Sequence, residues 1–159
     1  MKSAKLMAVG FLIAALTATG CGDKKPDGPK VEEKKPDPAD SHEHGAGPHG
    51  GVLFDFGKHH GEFTVDHDKK ECAVYVLGGD EKTPRPVAAD EFTLTTKETK
   101  TKDGKVVPPM TIKLLPADAK DGKAAKFAGT DPGLGNVAEF EGAVSGKIDG
   151  KPSKGEFKE

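Results

Sequence analysis

The chain has no tryptophan, a single tyrosine (Tyr75) and eight phenylalanines in 159 residues, so the core it builds must be modest and aliphatic apart from Phe. Charge of one sign is lacking as well. With 24 basic against 26 acidic residues the net charge is −2, and the lysines are scattered rather than striped, which excludes a nucleic-acid footprint. Methionine is rare, and past residue 7 there is only Met110, which argues against a thioether Cu(I) site. None of Ser41, Ser145 and Ser153 sits in a nucleophile-elbow sequence, and no set of residues forms a substrate pocket on paper, so the protein is expected not to be an enzyme.

Long apolar runs are also missing. The longest, Met7–Leu16, is too short to span a membrane, and with Lys2 and Lys5 ahead of it Met1–Gly20 reads as a secretory signal peptide. Ala18-Thr19-Gly20 before Cys21 resembles a bacterial lipobox, with Ala18 where the pattern usually carries Leu. The resemblance implies lipidation of Cys21 and a cell-envelope location, facing the periplasm or the surface, with the membrane as a partner. Residues 21–46 hold Pro26, Pro29, Pro36 and Pro38 among Lys, Asp and Glu, with Val31 as the one large aliphatic residue, so they read as a disordered tether. At roughly 3.1 Å per residue, about twenty such residues reach about 60 Å. With Cys21 acylated, Cys72 has no partner, and a disulfide framework is excluded.

Residues 47–159 are expected to form one all-β domain, a small antiparallel β-sandwich with an open β-barrel as the alternative. Apolar residues alternate at Val52, Phe54 and Phe56, at Phe63 and Val65, at Cys72, Val74 and Val76, at Phe92 and Leu94, and at Met110, Ile112 and Leu114. Asp149-Gly150 predicts a hairpin joining a strand through Val144 and Ile148 to one through Phe157. Residues 117–128 could hold a short helix, interrupted by Gly122.

What the chain does have in excess is local. All six histidines, His42, His44, His49, His59, His60 and His67, lie within 26 residues, and clustered imidazole points to metal binding. A two-residue turn at Gly57-Lys58 pairs Val52 with Phe63, Phe54 with Gly61 and Asp55 with His60. Extended back, it sets Gly50 against Val65 and His49 against Asp66. A four-residue loop from His67 to Lys70 then pairs Val65 with Cys72 and Glu62 with Tyr75, so three strands agree on one apolar inside. On the outside Asp55, His60 and Glu62 converge as one imidazole and two carboxylates, a donor set suited to Zn²⁺ or to Cu²⁺, Ni²⁺ or Co²⁺. The alternative is that they are ordinary cross-strand pairs on a solvated face. Leu53, Tyr75 and Leu77 share that face, an apolar patch suited to a second layer or a partner. His67 is at the far end of its strand, roughly 20 Å from His60, so no single ion binds all six.

Pro48-His49-Gly50-Gly51-Val52-Leu53, followed by Gly57-Lys58-His59-His60-Gly61-Glu62-Phe63 and a strand with Val74-Tyr75-Val76, resembles a segment of small bacterial envelope lipoproteins. Similar segments accompany the periplasmic adaptors of heavy-metal efflux systems. The resemblance covers roughly residues 47–77 and implicates His49, His60 and Glu62. Together these readings give an expected metal set of His49, His60, Glu62 and Asp55, reinforced by His44 and His42 from the glycine-rich arm. The expected function is an envelope lipoprotein that binds divalent metal and buffers it or hands it to an efflux protein. The competing expectation is a tethered structural or protein-interaction module with incidental histidines.

Overall fold

The computed structural model describes residues 45–159. The expected signal peptide, the expected lipidation site Cys21, most of the expected tether, His42 and His44 lie outside the described residues. Among the described residues no helix is long and apolar enough to cross a membrane.

The fold is all β. The strands are β1 (Val52–Phe56), β2 (His59–Asp66), β3 (Glu71–Leu77), β4 (Phe92–Thr96), β5 (Thr99–Lys100), β6 (Val106–Val107), β7 (Thr111–Ala117), β8 (Lys126–Thr130), β9 (Glu141–Ile148) and β10 (Lys151–Lys158). Eight of them form one antiparallel sheet in the order β1-β2-β3-β8-β7-β4-β9-β10, while β5 and β6 make a small separate hairpin. The sheet curls until its two ends meet. A Cβ on Gly155 of β10 would lie 2.1 Å from the Asp55 carbonyl oxygen of β1, so the seam closes only because that residue has no side chain.

The barrel alternative therefore describes the molecule better than two separate sheets. Its corner is β7, whose Thr111–Leu114 half pairs with β4 and whose Leu115–Ala117 half pairs with β8, carrying the ladder from one half of the sheet to the other. All seven phenylalanines among the described residues are buried. Their rings run across the interior, with centroid separations of 4.2 Å for Phe63–Phe157, 6.1 Å for Phe157–Phe54, 5.8 Å for Phe54–Phe56, 5.0 Å for Phe56–Phe92 and 4.1 Å for Phe92–Phe127. Because these residues come from β2, β10, β1, β4 and β8, a single aromatic core holds all sides of the barrel together.

The first two hairpins have the expected register: Val52 faces Phe63, Asp55 faces His60, Val65 faces Cys72 and Glu62 faces Tyr75. Cys72 is buried on the inner face. The Asp149-Gly150 turn also forms, with φ of 50° and 76°, the left-handed pair that matches strand twist. The short helix does not form. Asp121-Gly122 makes the same kind of tight turn, φ 51° and 71°, closed by reciprocal 2.9 Å bonds between Lys120 and Lys123, and the residues after it become β8.

Candidate functional site

The ladder between β1 and β2 ends where the sequence extrapolates it further. Gly50 takes φ 78°, which folds the preceding residues back over the outer face, so Gly50 does not face Val65 and His49 does not face Asp66. The resulting strap, residues 45–51, is tied to itself by Gly47 N–H donating to Gly51 O at 2.9 Å and Gly50 N–H to Gly47 O at 3.0 Å, with Ala46 bridged to Val52. Leu53 and Leu77, expected to form an apolar patch suited to a second layer or a partner, are both buried.

Glu62 fastens the strap. Its side chain is fully buried on the outer side of β2, an unusual place for a carboxylate unless all its acceptor capacity is used. Oε1 accepts the backbone N–H groups of His49 at 2.7 Å and Gly51 at 2.9 Å, and Oε2 lies 2.7 Å from His49 Nδ1. The His49 ring stacks on Tyr75, 3.7 Å between centroids and 7° from parallel, and Lys126 Nζ stands 5.7 Å from the Tyr75 ring centre. Gly47 lies so close that only a residue without a side chain fits beside the carboxylate.

His60 is held apart from that pair. Its Nδ1 donates to the Gly78 carbonyl at 3.1 Å, and Nε2 faces Asp55 Oδ1 and Glu81 Oε1, each at 3.5 Å. The Gly78 carbonyl also accepts the Glu81 backbone N–H at 3.1 Å, so one group sets both the imidazole and the loop that brings Glu81. That loop, 78–83, is stiffened by Asp80, whose Oδ1 accepts the N–H groups of Lys82 and Thr83. The Thr83 hydroxyl and these N–H groups hold the Asp80 carboxyl down to about 2.

Of the expected set, then, Asp55 and His60 come together, Glu62 and His49 come together, and the two pairs are distinct. Glu81 was absent from the expectation. The register could have found it, because β3 ends with Leu77 opposite His60, so the residues just after Leu77 must border that imidazole. Among the described residues no set of three or more His, Cys, Asp or Glu side chains is gathered into a ready-made metal shell. The other histidines lie elsewhere. His67 Nδ1 donates to the Leu134 carbonyl at 2.7 Å beside a cleft of about 580 Å³ that also exposes Glu139 and Glu159. His59 lines a small cavity together with Ile148 and Pro152, its basicity lowered by burial and by Lys58 and Arg85. No protein-family model, curated protein or solved structure matches the chain.

Proposed function

We propose that the protein is a lipid-anchored, non-enzymatic component of the bacterial cell envelope that captures a divalent transition metal as cargo at His60, with Asp55 and Glu81 as the accompanying carboxylates. One observation carries this reading. With Nδ1–H given to Gly78 O, His60 turns Nε2 toward the Asp55 and Glu81 carboxylates, so one imidazole and two carboxylates from three separate segments converge. The donor set of imidazole and carboxylate suits Zn²⁺, Cu²⁺, Ni²⁺ or Co²⁺. A tether on Cys21 would keep such a carrier near the membrane, where an efflux protein could receive the ion.

The full chain carrying Cys21→Ala, titrated with Zn²⁺ by calorimetry, tests the site. His60→Ala should weaken binding by more than about tenfold, and His67→Ala should leave it within about twofold. Unchanged affinity in the His60 variant rejects the reading. A second reading, a tethered β-module with structural histidines, is favoured by the use of Glu62 to fasten the strap. It expects no saturable Zn²⁺ binding at all.

A further inference from the structure

The His49 imidazole and the Glu62 carboxylate form a second arrangement that the His60 site does not use. A carboxylate acceptor 2.7 Å from Nδ1 requires a proton on that nitrogen, so neutral His49 is fixed in the Nδ1–H form and offers Nε2 as its lone-pair donor. Metal-binding histidines are oriented in this manner, with the far ring N–H given to a carboxylate or a backbone carbonyl. Glu62 itself is not free to ligate, being fully buried with Oε1 shared by two backbone N–H groups and Oε2 on the ring. Stacking on Tyr75 removes the remaining freedom of ring rotation. The His49 side chain is nonetheless 36 % exposed.

We propose that Glu62 is a positioning residue rather than a ligand, and that it presents His49 Nε2 as a second imidazole donor for a divalent transition ion such as Zn²⁺. The proposal rests on the metal-binding reading above and extends it. The strap then has a chemical purpose, since folding it down converts a loop histidine into an oriented one. A lone imidazole with water in the other coordination positions holds an ion weakly, which fits a point of entry or release more than one of storage.

Long-range 1H–15N correlation spectra of the full chain carrying Cys21→Ala read the tautomer of each histidine directly. His49 should show the Nδ1–H form, and substoichiometric Zn²⁺ should shift its Nε2 resonance. In Glu62→Gln the amide oxygen still accepts the two backbone N–H groups, but the amide nitrogen cannot accept from Nδ1. The His49 response to Zn²⁺ should therefore weaken about tenfold while that of His60 persists. An Nε2–H tautomer at His49 in the unsubstituted chain, or a Zn²⁺ response at His49 that is unchanged in Glu62→Gln, overturns the proposal without touching the His60 site. A response at His49 with His60 silent supports it and rejects the His60 site instead. Silence at both histidines removes the metal reading and this proposal together.

Discussion

Gly47→Ala tests the strap without altering a charged or imidazole side chain. A Cβ at position 47 would lie 2.3 Å from Glu62 Cδ, 2.5 Å from Oε1 and 2.7 Å from Cγ. A flexible surface glutamate would simply swing aside, but this one is fully buried and engaged in three contacts of 2.7–2.9 Å. The alanine and the fastened carboxylate cannot coexist, so the strap lifts. Each hydrogen bond to a charged group is worth about 1.5–3 kcal/mol net, yet the full sum is not lost, because a lifted strap returns the donors and the carboxylate to water. Alanine also restricts the unfolded chain, which offsets about 0.4–1 kcal/mol. A net loss of about 2–3 kcal/mol is expected in urea unfolding, with loss of hydrogen-exchange protection at the Gly51 amide. Gly45→Ala is the control, since nothing stands within 4 Å of its Cβ, and it should stay within about 0.5 kcal/mol of the parent. Equal stability of the two variants, with Gly51 still protected, would refute the clamp.

Cys72 should react slowly with thiol reagents in the folded domain, because burial, ahead of the Glu71 and Asp131 charges, pushes its thiol from 9.0 up to about 12. The folded thiol keeps its proton where the unfolded one loses it, so this contribution is fully present below pH 9 and declines toward pH 12. Between these limits the parent should lose about 1.4 kcal/mol of stability per pH unit more than Cys72→Ala, and parallel pH profiles would show that the thiol is not held this way. At the seam, Gly155→Ala places a Cβ 2.1 Å from the Asp55 carbonyl and 2.6 Å from the Phe54 ring. It should cost about 1–3 kcal/mol in denaturant unfolding, and a neutral result would mean that β1 and β10 part in solution.

The inner face was legible in the sequence because alternation and two short turns over-determine it. Once Gly57-Lys58 sets Asp55 against His60, a one-residue slip would turn Phe54, Phe56 and Phe63 outward together, so the register of β1, β2 and β3 follows from the apolar alternation and the turns. How the sheet curls does not follow. Alternation marks inside and outside on each strand equally for a sandwich and for a barrel, and the deciding features are the shared pairing of β7 and the bare backbone of Gly155, neither of which has a signature in one sequence. The missed turn at Asp121-Gly122 had the same residue pair as the expected one at Asp149-Gly150. It was obscured by the Ala and Lys around it, whose helix propensity was overridden by strand pairing of Phe127 with Val74.

The outer face was half legible, for a reason located at two adjacent glycines. Carrying the β1 ladder through Gly50 and Gly51 assumes that the chain stays extended, yet glycine is the residue that lets it leave a ladder at positive φ. Had the turn been placed at Gly50, His49 would have been brought back over the sheet, and a row containing Glu62 and Tyr75 would have offered it a carboxylate and a ring on which to stack. Glu62 would then have read as a clamp before it read as a ligand, since a short strap of glycines has few other donors or acceptors with which to hold itself down. The same logic explains Glu81. A carboxylate brought by a loop has no strand phase, and it becomes visible only when the end of β3 is placed beside His60 and the Gly78 carbonyl is seen to serve both. The residue types that carry the proposed chemistry were thus visible as a cluster. Which carboxylate serves which imidazole was decided by backbone turns.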